Sequence, residues 1–124
     1  MGKYIGLIGL LAAALPNMAM AGQDILAQCV FTQECTPGEG CADTTFEVEV
    51  LSGTGMDFTI QSMAGDLPGT LASAPRPDAP LFLFATSETA AHLLSIQSDG
   101  AARYTLHLQG PLVLDYQGVC KRAE

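Results

Sequence analysis

From Thr45 onward the side chains alternate one for one: Phe46, Val48 and Val50 are apolar, whereas Thr45, Glu47 and Glu49 are polar. A period of two describes an extended strand with one face turned inward, and it excludes a helix, whose apolar stripe recurs every three to four residues. Ser52, Gly53, Thr54 and Gly55 break the run. Met56, Phe58 and Ile60 then alternate with Asp57, Thr59 and Gln61, which predicts a second strand and a hairpin.

The rest of the chain is punctuated in the same way. Residues 65–69, with Gly65, Pro68 and Gly69, read as another turn and residues 70–72 as a short edge strand. Residues 74–80 form a loop, because Pro75, Pro77 and Pro80 have no amide to give to a ladder. The continuous apolar run 81–85 predicts a strand covered on both faces, with a buried helical turn as the alternative of equal periodicity. Thr86, Ser87, Glu88 and Thr89 either cap one turn of helix or connect a hairpin. Residues 92–98, 102–109 and 112–119 read as three more strands, separated by Asp99-Gly100 and Gly110-Pro111. These segments predict an all-β fold, a small antiparallel sandwich or barrel of about seven to eight short strands.

One hairpin permits a register. A loop of Gln109, Gly110 and Pro111 sets Leu108 opposite Leu112, Leu106 opposite Leu114 and Tyr104 opposite Tyr116, so every apolar pair shares a face. Arg103, Thr105, His107, Val113, Asp115 and Gln117 then face solvent. A two-residue loop at Asp99-Gly100 would instead pair Ile96 with outward Arg103, so a longer connection or a bulge is required there.

Residues 1–21 have the pattern of a secretory leader. Lys3 is followed by an apolar run from Ile5 to Leu15, and Ala19-Met20-Ala21 is a small-x-small cleavage site before Gly22. The run stops at Pro16 and Asn17, short of the roughly 20 residues a spanning helix needs. The expected product is one all-β domain, residues 22–124, soluble in the periplasm or secreted, with no transmembrane segment. There Arg76, Arg103, Lys121 and Arg122 face 13 carboxylates. Such a surface repels phosphate, so nucleic acid and anionic membranes are excluded as partners.

Cys29, Cys35, Cys41 and Cys120 all lie beyond the leader, and an oxidising compartment preserves disulfides. Four cysteines allow three connectivities. The preferred one joins Cys35 to Cys41 across the turn formers Thr36 to Gly40 and leaves Cys29 for Cys120. Loop entropy assigns roughly 2 kcal/mol to the first and roughly 4 to 5 kcal/mol to the second. Zinc bound with His92 or His107 is the rival, but the short cysteine spacings exceed those of zinc knuckles. No Cys-x-x-Cys supports thiol catalysis.

No catalytic residue is predicted. There is no Gly-x-Ser-x-Gly, His107 alternates onto the polar face, and His92 flanks a turn. Glu47 and Glu49 project from one face as paired acids would, without a second acid across a cleft. Asp57, Asp66 and Asp99 adjoin glycine-containing turns but lack calcium-loop spacing. Without tryptophan or a glycine-rich phosphate loop, no cofactor is expected.

Gly100-Ala101-Ala102-Arg103-Tyr104, with Cys120 able to bridge back to Cys29, resembles the C-type lysozyme inhibitors of the Gram-negative periplasm. The resemblance implies a small β-barrel with a bridge near its termini, and inhibition as a function. It covers about twenty residues, and the chain departs from the family in its serine-to-tyrosine spacing, its lack of tryptophan and the absence of a lysine-glycine pair after the tyrosine. No functional residue carries over. The expectation is therefore a non-catalytic protein that binds a protein, an envelope component or a small ligand. A lysozyme-inhibitor-like role and a small extracytoplasmic hydrolase are the alternatives.

Overall fold

The computed structural model describes residues 24–110 and 112–123; the leader expected over residues 1–21 lies outside the described residues. The chain forms eight strands: β1 (Ile25–Thr36), β2 (Gly40–Ser52), β3 (Asp57–Ser62), β4 (Gly65–Leu71), β5 (Leu81–Thr86), β6 (Ala90–Ile96), β7 (Ala101–Leu108) and β8 (Leu112–Arg122). Each pairs antiparallel with the next, and β8 returns to pair with β1. The sheet is thus a closed barrel, not a sandwich. Closure requires a strand long enough to serve two neighbours along its length, and β1 has a register shift between Phe31 and Gln33 against both. Such a bulge bends a strand and increases its twist.

Alternation sorts the side chains. Ala27, Cys29 and Phe31 of β1 meet Val48, Val50, Phe58, Leu83, Leu94 and Ile96 in the interior, while Glu47, Arg103 and Lys121 lie on the outer wall. Apolar inside and charged outside is the reverse of a barrel immersed in lipid.

The predicted β7–β8 register is the observed one, with Tyr104 opposite Tyr116 and Leu108 opposite Leu112. The longer connection required before β7 is also present: Ile96 pairs with Ala102, Gln97 and Ala101 close the turn, and Ile96 keeps its inward place. Gly100 sits in that turn at φ +97°, and a Cβ there would come within 2.7 Å of the Cys120 carbonyl.

Two expectations need correction, and one open alternative is resolved. Residues 65–69 are not a turn: the reversal falls at residues 63–64, and Gly65 to Leu71 form β4 rather than an edge strand over 70–72. The proline is tolerated because of where its nitrogen points. Ala72 donates to the Phe82 carbonyl, so by alternation Thr70, Pro68 and Asp66 turn their nitrogens toward β5. β5 pairs only with Gly69, Thr70 and Leu71, so Pro68 lies where no ladder bond is needed. Residues 81–85 are not covered on both faces; Phe82 and Phe84 are 38% and 49% exposed, because a closed single sheet has no second layer. Of the two readings of residues 86–89, the hairpin connection is the observed one, with Thr86 opposite Ala91.

Both preferred disulfides are present. Cys29–Cys120 joins β1 to β8 inside the barrel, and Cys35–Cys41 joins β1 to β2 beside the 37–39 turn. No free cysteine is left for zinc or thiol chemistry among the described residues.

Candidate functional site

The two ends of the barrel differ. At the end that carries the turns 53–56, 72–80 and 97–100, Phe58, Leu71, Leu81 and Ile96 are buried. The Arg122 guanidinium ties down the proline-rich loop by donating to the carbonyls of Ala79, at 2.6 Å, and Arg76, at 2.8 Å. At the opposite end, inward-facing Phe46, Leu67, His92, Leu106 and Tyr116 are only half-buried. They line a cavity of about 500 Å³ that opens between the turns 63–64 and 87–89. The opening follows from the short β4–β5 ladder: beyond Gly69, β4 continues alongside β3 but leaves β5.

Three grooves on the outer wall have nominally larger volumes, about 590 Å³ beside Phe84, about 570 Å³ beside Val119 and about 510 Å³ beside Arg103. They run over the outward side chains of neighbouring strands, and their polar links, such as Gln28 to Glu49, lie on the solvent-facing wall. The mouth instead gathers inward-facing polar groups on an aromatic wall, and an eight-stranded barrel has room for at most one small ligand.

Its wall is aromatic. Phe46 and Tyr116 have ring centroids 5.3 Å apart, Tyr104 lies 6.3 Å from Phe46 in a nearly parallel plane, and His92 lies 5.7 Å from Tyr104. Two hydrogen bonds fix the polar edges. His92 Nδ1 and the Tyr104 hydroxyl are 2.7 Å apart, and the Tyr116 hydroxyl donates to a carboxylate oxygen of Glu34. Glu34 turns inward because the bulge after Phe31 changes the parity of β1, placing it opposite Tyr116. Burial raises the Tyr104 phenol to about 12, assisted by neighbouring Tyr116. Tyr116 also rises to about 12, first through burial and then through the bond to Glu34 and its negative charge. Burial lowers the His92 pKa, so its imidazole is neutral at pH 7. The mouth thus offers uncharged hydroxyls, a neutral imidazole and π faces, with carboxylates behind and beside them.

Of the candidate residues drawn from the sequence, only His92 and Asp66 line this cavity. His107 and Glu47 are exposed on the outer wall, and Glu49 accepts a hydrogen bond from Gln28 at 3.1 Å. Asp57 is exposed at the start of β3, and Asp99 accepts the Ala101 amide in its own turn. Among the described residues no three of His, Cys, Asp and Glu come together as metal ligands do. Tyr104, the end of the inhibitor-like stretch, is 4% exposed and packs inside the barrel, so it presents no docking surface. Sequence reasoning missed the mouth as an assembly, although His92 shares its parity with Leu94 and Ile96, an inward signal. Searches against protein-family models, curated proteins and solved structures find no match for this chain.

Proposed function

We propose that this is an exported, non-catalytic binding protein that takes one small ligand of mixed apolar and polar character into the mouth of its barrel. The observation that carries the reading is the contrast between the ends: one is sealed by apolar packing, while the other leaves an aromatic-walled cavity of about 500 Å³ with convergent hydroxyls. This volume lies in the range of small-molecule sites, and those sites combine apolar walls with a few fixed polar groups. Two disulfides suit an oxidising compartment, which supports export through residues 1–21. N-terminal sequencing of the released protein should accordingly begin at Gly22; retention of Lys3 would refute cleavage.

The binding test is a titration with N-phenyl-1-naphthylamine, an uncharged probe that brightens in apolar surroundings. Saturable one-to-one binding is expected. Leu106→Glu, which places a charge in the mouth, should remove it, whereas Val119→Glu on the outer wall should leave it intact. Absence of saturable binding, or loss with Val119→Glu alone, would reject the mouth as the site.

A further inference from the structure

We infer that the ligand is an organic cation, an amine or quaternary ammonium group carried on an apolar body. This rests on the mouth being the binding site and adds the sign of the charge that it selects. Four π systems line the cavity, those of Phe46, His92, Tyr104 and Tyr116. The faces of aromatic rings are negative and attract ammonium groups, most strongly where water is excluded. Glu34 holds its carboxylate one hydrogen bond behind this wall, on the Tyr116 hydroxyl, and Asp66 stands on the rim.

The distribution of charge over the barrel points the same way. Among the described residues the cations number four, and none lines the mouth. Arg76, Lys121 and Arg122 belong to the sealed end, with Arg122 engaged on the proline-rich loop. Arg103 lies on the outer wall with Nε and Nη2 on the two oxygens of Asp115. At the open end, Glu34, Glu39, Asp43, Asp66 and Glu88 occupy the strand ends and turns without a lysine or arginine among them. The resulting field draws cations to the mouth and repels anions. Neutral His92 does not oppose it. An anionic ligand would find no cationic donor at the cavity, whereas a cation finds an aromatic wall with Asp66 at its rim and the Glu34 carboxylate one hydrogen bond behind it.

The experiment displaces the naphthylamine probe with three small benzyl or phenyl compounds: benzyltrimethylammonium, uncharged benzyl alcohol and anionic benzenesulfonate. The cation should compete at roughly tenfold lower concentration than the alcohol, and the sulfonate should compete least. Glu34→Gln keeps an acceptor for Tyr116 and should bring the cation toward the alcohol without changing the alcohol. In the unaltered protein, high salt should narrow the same gap. If the naphthylamine binds but the cation has no advantage, or the sulfonate competes best, the charge inference falls and the binding site stands. If the naphthylamine does not bind either, both fall together.

Discussion

Gly118 stands where β8 leaves no room for a side chain against β1. A Cβ at this position would lie 2.1 Å from the Val30 carbonyl oxygen and 2.6 Å from the Phe31 Cα, where β1 begins its bulge. Both contacts are backbone and cannot rotate away, so Gly118→Ala must part β8 from β1. We expect it to cost about 1–3 kcal/mol in denaturant unfolding, while Gly110→Ala, with open space around it, pays only for its positive φ. Asp115 presents a different residue-scale case. It is 9% exposed and covered by the Arg103 guanidinium, whose hydrogen bonds hold its carboxyl below the usual range. A depressed folded pKa stabilises above the ordinary value near 3.8 and is lost as pH falls through the lower folded value. Arg103→Ala should therefore cost about 1–2 kcal/mol at neutral pH, and the two proteins should converge in acid. At the other extreme of pH, Tyr104 is raised to about 12, so the fold favours its protonated form. Stability is untouched below the unfolded value near 10 and declines between about 10 and about 12, by on the order of 2 kcal/mol. Tyr104→Phe should flatten that alkaline decline, measured by unfolding at stepped pH.

Among the elements, β4 departs most from local expectation and matters most to the mouth. Its glycines and Pro68 spell a turn, and nothing in residues 65–69 reports that β3 will supply one side of a ladder while the other side stays free. Strand character there is imposed by pairing, not propensity. By the same geometry the Asp66 amide points into the gap beside β5, whereas the Thr70 amide points into the paired stretch. Hydrogen exchange should show Asp66 exchanging much faster than Thr70, and equal protection would contradict the opening. Where alternation is strict, as in β7 and β8, even the register was legible, because Tyr104, Leu106 and Leu108 find apolar partners in only one alignment. The site was less legible. His92 shows inward parity, but Glu34 faces the mouth only through the bulge in β1, which its sequence does not announce.

For the molecule as a whole, the ring closes through its first and last strands. Cys29 and Cys120 are directly paired across that closure and 91 residues apart in sequence, against 6 for Cys35 and Cys41. Replacing Cys29 and Cys120 together by alanine should remove roughly 4–5 kcal/mol by loop entropy, about twice the effect of replacing the other pair. Thermal melts of the two double variants give the comparison. The same closure orders events in time. β1 cannot meet β8 until the final strand has emerged from the ribosome, so a growing chain carries Cys29 without its native partner almost to its end. Cys35 and Cys41 need only a short reversal to meet. Quenching oxidative refolding with an alkylating agent should capture the short bridge first, with Cys29 and Cys120 as the last thiols to be labelled. An oxidase acting strictly in order of emergence would join Cys29 to Cys35, the first two cysteines to appear, so under the proposed export the native pairing calls for an isomerase or for a pause before oxidation.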